Sequence, residues 1–120
     1  MLRSLVVAAL ALGAADAVAQ EASFLLINGT AYPIAQISIS PTDLNFWGPN
    51  VLGPPPIAAG QRRQISYRAP TGYCVGDMKV SWADDGAPAI WGGLNMCTLS
   101  KIKLRYDRMS GITTASYDED

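Results

Sequence analysis

GYCVGDMKVSWADDG, residues 72–86, decides how the rest of the chain reads. Cys74, Gly76, Met78, Val80 and Trp82 alternate with Val75, Asp77, Lys79 and Ser81. The first set is small or apolar and is assigned to the core. A period of two marks a half-buried strand, because successive side chains of extended backbone point to opposite faces. Asp84-Asp85-Gly86 is turn chemistry that joins antiparallel strands. PAIWGGLN (88–95) then reads as the returning strand, with a bulge expected at Gly92 and Gly93.

The second cysteine, Cys97, follows that return, and the hairpin is nearly symmetric about Asp85. The two cysteines stand 23 positions apart. Strands about 4.7–4.9 Å apart bring facing Cα atoms within disulfide reach at favourable positions. A redox pair would sit closer in sequence, as in C-x-x-C. Structural zinc takes about four Cys or His ligands, whereas this chain has two cysteines and no histidine. Cys74–Cys97 is therefore expected to be an intramolecular staple with no redox role.

The N-terminus gives the staple an oxidising compartment. MLRSLVVAALALGAADAVAQ carries Arg3, a short apolar run from Leu5 to Ala15, and small residues at Ala17 and Ala19. This is the layout of a secretory leader, with cleavage expected between Ala19 and Gln20. The run is too short to cross a bilayer, which needs about 20 apolar residues, and Asp16 lies near its end. No cysteine marks a lipoprotein anchor. The expected product is a single exported domain over residues 20–120, secreted or periplasmic, with no stable membrane insertion after cleavage.

Outward from the hairpin the chain reads as all-β. SFLLING (23–29), IAQISIS (34–40), QRRQISYR (61–68) and TLSKIKLRY (98–106) are strand-like, and GITTASYDED offers one more strand before an acidic end expected to fray. In IAQISIS the alternation puts Ala35, Ile37 and Ile39 on one face, and Pro33 and Pro41 bracket the run. In the last full strand Ile102, Leu104 and Tyr106 point inward, and Lys101, Lys103 and Arg105 outward. Residues 41–60 are rich in Pro, Gly and Asn, with one short strand expected near Val51 and Leu52. No helix-period segment of useful length stands outside the leader. Six to seven short strands predict an antiparallel, immunoglobulin-like β-sandwich, with a small barrel as the alternative.

Several chemistries are poorly served. A net charge of −1 gives no reason to seek nucleic acid. The basic residues fall into Arg62, Arg63 and Arg68 and a later group, Lys101, Lys103, Arg105 and Arg108; the later group alternates with apolar residues and reads as a solvated strand face. Without histidine no Ser-His-Asp or Cys-His arrangement exists. Asp77 and Asp85 bound one strand at roughly 26 Å, too far apart for one acid–base pair. DLNFWG (43–48) begins like a calcium loop but places Trp47 fifth and Pro54 twelfth, where such a loop needs an oxygen ligand and a glutamate. A looser calcium site on Asp43, Asp84 or Asp85 is a minor candidate. No enzyme, cofactor or resident metal is expected. NGT (28–30) fits the N-glycosylation pattern but reads better as a turn.

Tryptophan offers the remaining binding signal. Trp82 falls on the core face. Trp47 lies in the Pro/Gly-rich loop, and Trp91 precedes two glycines. These two fold back as lids over the core or stack on a sugar or partner. Two functions follow: a non-enzymatic exported domain that binds a protein or envelope component or is structural, or a carbohydrate- or ligand-binding module built on Trp47 and Trp91.

The chain also resembles a set of small exported bacterial proteins of unassigned function. The matching positions are Phe24, Asn28, Thr30, Ile34, Ser40, Pro41, Trp47, Gly48, Asn50 and Leu52, then Cys74, Asp77, Trp82, Asp85, Gly86, Asn95 and Cys97. The resemblance implies export and a single β-domain, and carries no activity. Its single leader arginine departs from the twin-arginine leaders of some members.

Overall fold

The computed structural model describes residues 19–70 and 72–119, and over them the chain is all-β. Seven strands follow in order: β1 (Ala19–Asn28), β2 (Ile34–Pro41), β3 (Arg62–Pro70), β4 (Val75–Trp82), β5 (Ala89–Asn95), β6 (Leu99–Asp107) and β7 (Ile112–Glu119). They form a four-stranded sheet, β3-β1-β6-β7, and a three-stranded sheet, β2-β4-β5. The two pack face to face as the expected sandwich, and neither closes into a barrel.

The opening hairpin is β4 and β5. Gly76, Met78, Val80 and Trp82 are buried as the alternation requires, but Cys74 is exposed, because it precedes the strand and serves the connection rather than the core. Asp85 takes a positive φ of 64° in the turn. Between the pairs Gly76–Leu94 and Met78–Trp91 the register slips, so Gly92 and Gly93 face Asp77 alone. This is the expected bulge. Gly93 has φ 69°, a conformation that favours glycine. Cys74 and Cys97 are joined across the open end of the hairpin, with Cα atoms 5.0 Å apart. Cys74 ends the crossing from β3, and Cys97 begins the crossing to β6, so the disulfide ties together two passages between the sheets.

Four further details differ from the sequence reading. A bulge between Ile34 and Gln36 breaks the alternation of β2, so Ile34, Ile37 and Ser40 are buried instead of Ala35, Ile37 and Ile39. Val51 and Leu52 form no strand; Leu52 plugs the core and Ile57 bridges to Ile34. The acidic end continues β7 to Glu119, held by pairing with β6 and by Lys101 on Asp118 at 3.3 Å. β1 starts at Ala19, because β3 extends to Pro70 beside it. The expected leader, residues 1–19, lies outside the described residues except for Ala19. One pairing is parallel: Leu25–Asn28 of β1 lies beside Lys101–Leu104 of β6. Such a neighbour relation is fixed by how the chain crosses between sheets, which no local pattern encodes.

The core runs through both layers, from Phe24, Leu26, Ile65, Ile102 and Leu104 to Met78, Val80, Trp82 and Leu94. Three polar residues are buried with it, Asn28, Thr30 and Ser40, and Asn28 lies fully buried at the end of β1. The Asn28 Nδ2 donates to the carbonyls of Tyr32 at 2.8 Å and Ile57 at 2.9 Å. Its Oδ1 accepts from the Thr30 amide at 3.0 Å and hydroxyl at 2.6 Å. NGT is thus a buried clamp on the β1–β2 connection. A Cβ at Gly29 would stand 2.6 Å from the Leu104 carbonyl oxygen, so only glycine fits.

Candidate functional site

A sandwich has two open seams, where the outer strands of its sheets face each other. At the β5/β7 seam the edges are joined by side chains. The Trp91 indole donates to the Thr114 carbonyl at 2.8 Å, and the Thr113 hydroxyl to the Ile90 carbonyl at 3.0 Å. Trp91 is only 3% exposed, packed edge-on to Trp82 and Tyr106.

The β2/β3 seam is different. The outer edge of β2 is covered by the Pro/Gly-rich loop: Gly48 donates to Ile39 at 3.0 Å, Val51 to Ile37 at 2.8 Å, and Ile57 exchanges two 2.9 Å bonds with Ile34. Asn50 completes this edge, its Oδ1 accepting from the Ile37 and Leu52 amides at 2.9 and 3.0 Å. Arg63 ties the start of β3 to the same loop through the Gly53 carbonyl at 2.8 Å. Beyond Arg63 the seam opens into a groove of about 530 Å³ at the disulfide end of the sandwich. One wall is Ser66–Ala69 of β3, the other Ile39–Pro41 of β2 with Phe46 and Gly48–Val51 of the loop; Tyr73, Val75 and Met96 close the end.

The groove is apolar and its rim is apolar. Phe46 is 75% exposed, Tyr73 54% and Val75 50%. Burial of Tyr67 in its wall holds that phenol above its ordinary pKa. Arg68 is the basic residue on the lining, and no carboxylate among the described residues is within ion-pair distance of it. Glu21 stands opposite it in the β1–β3 register without forming an ion pair. The volume lies within the range of small-ligand sites, roughly 300–1,000 Å³.

The loop that forms the outer wall is anchored by one carboxylate. Asp77 accepts from the Gly93 amide at 3.0 Å, the Thr42 hydroxyl at 2.9 Å and the Asp43 amide at 3.2 Å. Burial alone pushes its pKa up, but those three hydrogen bonds together outweigh it and hold it below the ordinary 3.8. The bulge in β5 aims the Gly93 amide at Asp77, so the same distortion shapes the hairpin and fixes the loop.

The sequence-expected site residues are not brought together. Trp47 is half-buried within the loop, with the Lys79 ammonium 4.7 Å from its ring centroid. Trp91 is in the core on the opposite seam, so the two form no common stacking platform, and the carbohydrate reading loses its second aromatic. The looser calcium site also disperses. Asp43 follows β2 and Asp84 follows the antiparallel β4, which puts them at opposite ends of the sheet. Asp84 is already forked onto Arg108 at 2.7 and 2.9 Å. Among the described residues no three His, Cys, Asp or Glu side chains gather to hold a metal.

No sequence pattern marks the groove residues, because each is ordinary alone. Val75 occupies the outward phase of its strand, and Tyr73 and Phe46 lie in loops. Their convergence depends on the crossing from β3 to β4. Comparison of the chain with family models, with curated proteins and with solved structures finds no match.

Proposed function

We propose that the protein is an exported, non-catalytic binding domain whose ligand occupies the β2/β3 groove. The observation that carries the reading is the contrast between the seams: one is sealed by side-chain hydrogen bonds, while the other opens into an apolar groove of about 530 Å³ rimmed by exposed Phe46, Tyr73 and Val75. Apolar rims of this kind on small domains mark interaction sites. Export is supported by the leader pattern of residues 1–19, by the disulfide, and by the lack of a membrane-crossing helix among the described residues. The non-catalytic reading is supported by the absence of histidine and by the commitment of Asp77 and Asp84 to structural partners.

Photo-crosslinking in the native host tests the groove. Benzoylphenylalanine in place of Phe46 is expected to give a discrete adduct. The same replacement at Met109, 98% exposed in the β6–β7 turn at the opposite end, gives none. No adduct at 46, or equal adducts at both positions, sinks the reading.

A further inference from the structure

We infer that the occupant of the groove is an extended peptide segment that adds to the free edge of β3 and carries a carboxylate side chain for Arg68. The inference rests on the groove being the binding site and names what fills it.

The backbone makes the first argument. β3 pairs only with β1, and no other main-chain hydrogen bond among the described residues reaches it. Four consecutive residues, Ser66 to Ala69, line the groove, so the strand presents its edge there rather than one face. Amide and carbonyl groups facing an apolar groove need partners once water is displaced. An acyl chain or an aromatic small molecule supplies none, whereas an extended peptide supplies them at the right repeat. On the opposite wall the Ile37 and Ile39 carbonyls and the Ile37 amide are already paired with the loop.

Dimensions and charge make the second. Four strand residues span about 13 Å, enough to seat three to five residues of a partner. Alternate partner side chains would enter among Val51, Tyr67 and Val75, and the intervening ones would face solvent. Arg68 lines the groove, and β3 also carries Arg62 and Arg63, with no carboxylate of the described residues in ion-pair contact. A guanidinium forks onto a carboxylate with two parallel hydrogen bonds, which sets the acidic residue of the partner and its register.

Panning of a random twelve-residue peptide display library on the disulfide-bonded protein tests this. Enriched peptides should alternate apolar and polar residues and include an Asp or Glu. A synthetic enriched peptide, followed by fluorescence anisotropy, should lose at least tenfold in affinity against Arg68→Glu and against Tyr73→Ala. N-methylation of alternate backbone amides of the peptide should abolish binding in one phase and spare it in the other. Both protein substitutions are at exposed positions, and unchanged thermal unfolding verifies that each variant is folded. Binding indifferent to N-methylation or to Arg68→Glu overturns the inference. So does a failure to enrich peptides when the fluorescent fatty acid cis-parinaric acid binds, or when the protein forms a concentration-dependent dimer that Phe46→Ala dissolves. An adduct at position 46 without peptide enrichment removes the peptide and leaves the groove; loss of both removes both.

Discussion

The guanidinium of Arg108 lies on the ring of Tyr32, its central carbon 3.6 Å from the ring centroid, while the same group forks onto Asp84. Three connections meet in this contact: the β1–β2 loop, the β4–β5 turn and the β6–β7 turn. Beneath it, Trp82 stacks on Tyr106 with centroids 5.4 Å apart, and Tyr32 meets Trp82 edge-on at 5.7 Å. Stacking needs a planar cation and the fork needs two parallel donors, so lysine replaces neither.

The Arg108 contact should therefore grade its substitutions. Arg108→Ala lowers the unfolding midpoint most, Arg108→Lys nearly as much, and Asp84→Asn least, because the stack survives it. Raising salt should shrink the Asp84→Asn effect and leave most of the Arg108→Ala effect. Differential scanning calorimetry at two ionic strengths reads both, and equal effects of Arg108→Ala and Asp84→Asn contradict the stack.

Acid should loosen the groove before it unfolds the domain. The hydrogen bonds to Asp77 depress its pKa below the ordinary 3.8, so its contribution is present above that value and is lost as the pH falls through the folded value. NMR amide shifts of Gly93 and Asp43 should move together below about pH 4. Asp77→Ala removes this acid-dependent movement and costs about 1–3 kcal/mol at neutral pH.

Reduction of Cys74–Cys97 should destabilise the domain by about 3.4 kcal/mol in the chain-entropy account. For a domain of this size the unfolding midpoint falls by roughly 15 °C or more. Thiol titration of the denatured, unreduced protein should find no free thiol. At low temperature, groove occupancy should survive the double Cys→Ser change, since the sulfurs do not take part in it.

The buried clamp of β1 predicts a sharper loss. Asn28→Ala leaves the Ile57 carbonyl and the Thr30 amide without their partner and strips one of two donors from the Tyr32 carbonyl, a cost of about 2–4 kcal/mol. Gly29→Ala forces a Cβ into the Leu104 carbonyl oxygen and should cost at least as much. Chemical denaturation with unchanged m-value identifies these as native-state effects.

Export makes the fifth prediction. Mass spectrometry of protein from the host should find a chain beginning at Gln20, with or without its cyclised form. Full-length chain retained in the cytoplasm is the contrary result.

Much of the architecture was legible because it is written in local patterns. The alternation of Met78, Val80 and Trp82, the Asp-Asp-Gly turn, the glycine bulge and the cysteine spacing are all short-range signals, and the hairpin they describe is the one found. The β2 face departs from the expected one because its bulge follows Ile34, within a run whose residue types alternate regularly. The parallel β1–β6 pair and the groove depend on crossings between the sheets. Phe46 is brought to Tyr73 by two such crossings, and nothing in NFWGPN or TGYC announces the other.

The burial of Asn28 also bears on where this protein can be made. A eukaryotic secretory host meets Asn-Gly-Thr as an extended nascent chain and transfers an oligosaccharide to it before the strand has packed. The linkage would consume one of the two amide hydrogens that hold the Tyr32 and Ile57 carbonyls, and the sugar would have to fit where the side chain is 0% exposed. Chains so decorated should be retained by quality control as misfolded glycoprotein, so yields from yeast or mammalian secretion should rise when the acceptor is silenced at Thr30 by serine-free replacement such as Thr30→Val, despite the hydrogen bonds that change removes.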